Sequence, residues 1–250
     1  MQILDLTLPT PAENLAADEA LLDLCEAGAG DETLLFWEPR EIFVVVGYAN
    51  KVATEVNVAT CAAKKIPIFR RCSGGGTVVQ MPGGLNYSLI LRITENSPTR
   101  SISSANKFIM DRNCAAVQSA IGNRQSAISV RGHTDLTLTT RHSPPVTVKK
   151  FAGNSQRRRK NFLLFHGTFL LNCNLSLVSE LLPMPSLQPD YRAGRLHEEF
   201  VTNLDLPASQ VKAALAKAWN ANQPFQNPPL DKIEKLAREK YSSREWNRKF

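Results

Sequence analysis

The order of apolar patterns in this 250-residue chain predicts an α+β fold with mixed, mostly antiparallel sheets flanked by helices. Three observations carry that expectation. Strand-like runs crowd the first two-thirds of the chain, helical spacing takes over from residue 175, and a regular strand–helix alternation is missing. With 43% hydrophobic residues there is ample material for a core, so extended disorder is excluded. Residues 1–250 are expected to form one domain.

The elements follow in order. Thr10-Pro11-Ala12-Glu13 reads as a helix start, with Thr10 as N-cap, Pro11 in the first turn and Glu13 reaching back. Ala17, Leu21 and Leu24 recur at helical spacing until the glycines at 28 and 30 end the segment. Runs 34–37 and 42–46 are expected strands, separated by the turn-prone segment 38–41. A short helix is expected over 55–64, strands over 67–70 and 85–93, and a helix over 105–121. Further strands are expected over 135–140, 147–151 and 162–171, with His142-Ser143-Pro144-Pro145 as a hairpin loop. Near the end, Val211, Leu215 and Trp219 share one helix face, as do Ile233, Leu236 and Ala237.

No apolar run is long enough for a membrane span, and the first residues lack a basic-then-apolar secretory leader. Five scattered cysteines without a CxxC pair fit reduced thiols in a cytoplasm better than disulfides or zinc. The net charge of +7 calls for an anionic partner. Most of it is local: Lys149, Lys150, Arg157, Arg158, Arg159 and Lys160 fall within twelve residues, in a stretch (136–179) that has no Asp or Glu. Such a run reads as a solvated loop, a nucleic-acid contact or a docking patch for an acidic protein or a nucleotide. Nucleic acid is the weaker reading, because only Phe151 is interleaved and no recognition motif appears.

Three segments carry possible chemistry. Arg70-Arg71-Cys72-Ser73-Gly74-Gly75-Gly76-Thr77 places three glycines after a strand, where backbone amides can approach an anion; a tight turn explains glycines equally well. It is neither a Walker A nor a dinucleotide loop. In Lys149–Gln156 a lysine at a strand end precedes a Gly-Asn-Ser turn, where its ammonium can face a phosphate or an oxyanion. Phe165-His166-Gly167-Thr168 puts a histidine in an apolar strand with no carboxylate near it in sequence, the usual setting of a structural histidine. His197-Glu198-Glu199 does not complete a zinc motif.

Taken in order, these segments resemble the lipoate–protein ligase family, within the biotin/lipoate protein ligase superfamily. The resemblance runs through Asn14-Leu15-Ala16 with Asp18-Glu19-Ala20, the Arg-Arg-Cys-Ser-Gly-Gly-Gly-Thr loop, Leu85-Asn86-Tyr87-Ser88, Gly132 with Asp135-Leu136, Lys150-Phe151-Ala152-Gly153-Asn154-Ser155-Gln156, the His166 strand and Glu245-Trp246-Asn247. It implies a biotin/lipoate ligase-like catalytic domain that activates lipoate or octanoate with ATP and magnesium to an acyl-adenylate. The acyl group then passes to one lysine of an acceptor lipoyl domain. It implies Lys150 as the catalytic residue. Arg71, Ser73, Gly74, Gly75, Gly76, Thr77, Val78, Asp135, Gly153 and His166 would line the substrate and adenylate, with Asp135 also near magnesium. Arg157, Arg158, Arg159 and Lys160 are the expected acceptor-docking residues.

Departures from the family pattern matter. The usual His-Asp after the glycine loop is Gln80-Met81, and Thr134 stands where an Asn precedes Asp135. Octanoyl transferases of this fold use a cysteine nucleophile; in the subgroup nearest by motif its slot falls near Ala127, which is not a cysteine. The runner-up is therefore an ATP-independent acyltransferase working from a carrier protein, with Cys72 as its one candidate thiol. The chain ends at Phe250, where many relatives continue into an accessory domain, so a separate accessory subunit is a possible partner. Nucleic acid and membrane are not expected partners.

Overall fold

A computed structural model describes residues 1–122, 126–140 and 147–250; the hairpin expected at 142–145 lies outside them. β1 (Gln2–Asp5) leads to α1 (Pro11–Glu26), which begins with the expected capping box: Glu13 N–H donates to Thr10 Oγ1, and Thr10 N–H to Glu13 Oε2. β2 (Thr33–Trp37) and β3 (Phe43–Val46) follow. Where one helix over 55–64 is expected, two form, α2 (Val52–Glu55) and α3 (Val58–Ala63). The break has a cause. Val56 is extended, and Asn57 donates its backbone N–H to Leu181 O and its side-chain amide to Glu180 O, outside any helix.

β4 (Ile68–Arg70), β5 (Val78–Gln80) and β6 (Gly84–Arg92) precede the long α4 (Ile102–Ile121). Then come β7 (Ser126–Arg131), β8 (Asp135–Thr140), β9 (Val148–Arg158) and β10 (Phe162–Leu170). The remainder holds α5 (Ser176–Leu181), α6 (His197–Phe200), α7 (Ala208–Ala218), β11 (Gln223–Pro224), α8 (Leu230–Leu236) with a π-turn over Ala237–Tyr241, and α9 (Arg244–Asn247).

The strands make two sheets. The larger has the order β11-β1-β2-β6-β10-β9-β8-β7, antiparallel from β2 to β7, with β1 parallel to both its neighbours. The smaller is β4-β3-β5, with β3 parallel to β4. The expected α+β class with mixed, mostly antiparallel sheets is what forms. β1, β5 and β7 have no counterpart in the apolar pattern; they are short or lie at sheet edges, where alternation is weakest.

Strand alternation divides the core. Leu163, Phe165 and Phe169 of β10 join Leu85, Tyr87 and Leu89 of β6 beneath α4 and α7. Phe162 and Leu164 point the other way and pack with Ile90, Leu35 and the Leu15, Leu21 and Leu22 face of α1. A third cluster, around Val44, Val46 and Val79, joins the small sheet to α5. Among the described residues, no helix is long and apolar enough to cross a membrane.

β9 differs from expectation in a way that builds the site. Gly153, Asn154 and Ser155 form no turn; they continue a strand through Arg158. Within it, Leu136 pairs with Ala152 but Thr137 with Lys150, so Phe151 is the extra residue of a bulge.

Candidate active site

The bulge decides where Lys150 points. Without it Lys150 and Gly153, three residues apart, would face opposite sides of the sheet; with it both face the side that carries Asp135, the cross-strand partner of Gly153. Lys150 Nζ lies 2.7 Å from Asp135 Oδ1, with side-chain exposures of 28% and 14%. Tyr191 donates its hydroxyl to Asp135 Oδ2 at 2.7 Å. The lysine stem lies directly over Gly153, where a Cβ would stand 2.8 Å from both Cε and Nζ. The glycine of this motif is thus a packing requirement for the lysine.

Facing the same side is the glycine loop. Ser155 Oγ donates to Gly74 O at 3.0 Å, tying β9 to the loop. Arg71 curls into it: Nε donates to Ser73 Oγ and Gly74 O, and Nη2 to Gly74 O and Gly76 O, both at 2.6 Å. Burial draws the guanidinium down to about 10, partly countered by Cys72 and Asp18, and it stays charged at neutral pH. Gly75 adopts φ +82, a conformation that favours glycine, while the space beside Gly74 and Gly76 is open. Thr77 accepts from Asn50 Nδ2 at 3.4 Å, and Val78 opens β5.

Arg70, next to Arg71 in sequence, adds no charge to this loop. It is fully buried on the opposite side of β4, where Nη1 donates to the carbonyls of Gly47, Tyr48 and Asn50, and Nε to Trp246 O. Trp246 Nε1 donates to Arg70 O, and Arg70 N–H donates to Asn247 Oδ1. The Glu245-Trp246-Asn247 segment therefore holds the root of the glycine loop.

His166 has the carboxylate partner that its sequence neighbourhood lacks. Its Nδ1 lies 2.6 Å from Asp18 Oδ2 on α1, and its Nε2 lies 2.5 Å from Ser73 Oγ. Ser88 Oγ donates to the other oxygen of Asp18 at 2.5 Å. On the opposite face of β10 a Cβ on Gly167 would overlap the Asn154 side chain. Asn154 accepts from Tyr87 OH and donates to Thr134 O, while Thr134 Oγ1 donates to Asn154 O, fixing the turn that delivers Asp135. The Gln80-Met81 departure is self-consistent: Gln80 and Asn86 exchange amide hydrogen bonds, and Met81 is buried.

Strand alternation splits the basic run. Arg157 faces α1, donating to Cys72 O at 2.6 Å, whereas Arg158 faces the α4 side, donating to Thr99 O and Arg100 O. Arg159 pairs with Asp23 at 2.8 Å and lies 3.7 Å from Glu19. Of the four, Lys160 reaches out exposed, and among the described residues no side chain pairs with its ammonium. Glu19 collects Lys240, Tyr241 and the two arginines. Burial would raise it, but Lys240, Tyr241 and Arg157 outweigh that and hold it below the ordinary 4.5.

All five thiols are pushed up, with burial the largest cause: Cys25 and Cys72 to about 12, Cys173 to about 11, and Cys61 and Cys114 in the same direction. Asp135, the acid expected beside magnesium, is engaged on both carboxylate oxygens, and among the described residues no group of three His, Cys, Asp or Glu is gathered to hold a metal.

Of the expected residues, the structure groups Lys150, Asp135 and Gly153 at one end and Arg71, Ser73, Gly74 to Gly76 and His166 at the other. Asp18 and Tyr191 belong with them and escape site assignment from sequence. Asp18 is one of two acids buried among the alanines and leucines of α1, which is a readable signal; Tyr191 gives none.

A lysine–carboxylate pair thus faces the same side of the sheet as an arginine-clamped glycine loop, an arrangement able to hold an anion. Over residues 10–219 the chain matches the family described as the lipoyl protein ligase A/B catalytic domain, and it belongs to that family. Its relatives include an octanoyltransferase LipM of Geobacillus kaustophilus, 26% identical over 95% of this chain and 94% of the relative. Another is the lipoate-protein ligase A subunit 1 of Thermoplasma acidophilum, 26% identical over 97% and 95%. In fold it is similar to a bi-partite lipoate protein ligase from Thermoplasma acidophilum, described with its E2 lipoyl domain (TM-score 0.79, 21% identity, 99% and 95% covered). It is also similar to a lipoate-protein ligase A bound with ATP (TM-score 0.73, 22% identity, 99% and 98% covered). The family thus joins ligases and octanoyltransferases.

Proposed function

We propose that this enzyme activates lipoate or octanoate with ATP and transfers the acyl group to a lysine of a lipoyl domain. The observation that carries this reading over thioester transfer is the state of the thiols. Burial pushes each thiol up, and the residue at the expected cysteine slot is Ala127. An adenylating route needs no enzyme nucleophile. The acid's carboxylate oxygen attacks the α-phosphorus of ATP, pyrophosphate leaves, and the acceptor amine then attacks the acyl carbon, releasing AMP. Both steps build negative charge on oxygen, and we assign the Lys150 ammonium to offset it once substrate draws it from Asp135. Arg71 and the glycine-loop amides offset phosphate charge. The ATP-bound and lipoyl-domain-associated fold relatives support the co-substrate and the acceptor, and the subunit relative supports a separate accessory chain.

The transferase reading keeps one specific support, the LipM relatives. Incubation with ATP, lipoate and a lipoyl domain separates the two. Pyrophosphate release and acceptor acylation, both lost in Lys150→Ala, are expected. Acylation that needs an acyl-carrier thioester and releases no AMP would overturn the proposal. Supplying preformed acyl-adenylate isolates the transfer step if adenylation requires a second subunit.

A further inference from the structure

We propose that Asp18 and His166 are positioning residues that orient the Ser73 hydroxyl, and through it Arg71, for phosphate binding at the glycine loop. The reaction they serve rests on the adenylating reading above; the geometry does not.

The hydrogen-bond chain has one direction in which every donor finds an acceptor. Arg71 only donates, so its Nε–H points at Ser73 Oγ, 3.1 Å away. Ser73 then sends its own proton to His166 Nε2 at 2.5 Å. His166 therefore carries its proton on Nδ1, donated to Asp18 Oδ2 at 2.6 Å, and Ser88 satisfies Asp18 Oδ1. The chain joins α1, β10, β6 and the glycine loop through residues 1–9% exposed. A carboxylate and an imidazole in an apolar layer are costly for stability, and well-packed apolar residues would serve the fold as well or better. Their presence at the loop that holds Arg71 points to a function in aiming it.

The arrangement matches the connectivity of a nucleophilic serine triad, but the serine is in the wrong setting for one. Ser73 is 1% exposed, and a guanidinium N–H already occupies its oxygen. The relay instead fixes which lone pair Ser73 offers Arg71. Arg71 in turn clamps Gly74 O and Gly76 O and sets the loop's shape.

Asp18→Asn is the test, because it keeps shape and the acceptor for Ser88. Turning its amide N–H toward His166 forces the proton onto Nε2, where it competes with Arg71 for the Ser73 oxygen. Expected is a rise in KM for ATP of about tenfold to a hundredfold, with the melting temperature close to wild type. In a Ser73→Ala background the same change should add nothing. Nitrogen-15 NMR of the His166 ring, assigned by its loss in His166→Gln, should show a bare Nε2 in the wild type and a protonated Nε2 in Asp18→Asn. Equal effects of Asp18→Asn in both backgrounds, or a protonated Nε2 in the wild type, would overturn the inference. So would esterification of Ser73 by a fluorophosphonate probe, which would make the serine a nucleophile. If the wild type makes no acyl-adenylate, the adenylating reading fails while the NMR result still decides the relay.

Discussion

The two ends of the site are built on opposite terms. At the Lys150 end, two charged side chains meet across neighbouring strands and remain partly open to solvent, at 28% and 14%. At the Ser73 end, Asp18, His166 and Ser73 are buried and fully matched. An open ion pair is loosely worth having for stability. It is well suited to exchange partners when an anionic substrate arrives. A buried relay is preassembled and resists exchange. The open end is therefore assigned to charge that develops during the reaction, and the closed end to the fixed shape of the binding loop.

That contrast can be broken or sharpened. The largest effect belongs to Lys150→Ala, which should cut acyl-adenylate formation by about 10²–10³-fold with little change in melting temperature, as measured by pyrophosphate release. Next is Gly153→Ala. Its Cβ would sit 2.8 Å from Lys150 Cε and Nζ, so the lysine must leave Asp135, and a loss of about 10–100-fold in kcat is expected from the misplaced ammonium. Gly167→Ala acts on the opposite face of the sheet, forcing Asn154 aside. It should lower stability by about 1–3 kcal/mol in urea unfolding, since overpacking is its main effect.

A smaller effect concerns acid. Glu19 is held below its ordinary value of 4.5 in the folded chain, so its contribution is present above that value and is lost as pH falls through the folded one. Glu19→Gln should flatten the acid limb of a stability–pH profile below about pH 4.5 while lowering stability at neutral pH, where Lys240 loses its partner. The smallest belongs to Cys72. With its thiol pushed up to about 12, it should resist iodoacetamide at pH 8 in the folded protein, and Cys72→Ala should leave acyl transfer intact.

Much of this architecture is legible in sequence, and the failures share a physical origin. The α1 capping box, the glycine loop and the apolar strands are local patterns, so residues near one another in the chain announce them. The bulge at Phe151 is not local: only pairing with β8 shows that Lys150 and Gly153 share a face. His166 reads as a bland core histidine because its carboxylate lies 148 residues away. The run Arg157 to Lys160 reads as one patch because sequence does not reveal that it enters a strand, where alternate arginines part to opposite faces. Arg70 and Arg71 part for the same reason.

The central claim is that an ammonium at the open end, and no thiol, runs the chemistry. Its most direct test is the mass of an acceptor lipoyl domain after incubation with ATP and lipoate, comparing wild type, Lys150→Ala and Cys72→Ala. The account predicts lipoylation and AMP release in the wild type and Cys72→Ala, and neither with Lys150→Ala. Lipoylation that survives Lys150→Ala, or that disappears with Cys72→Ala, would contradict it.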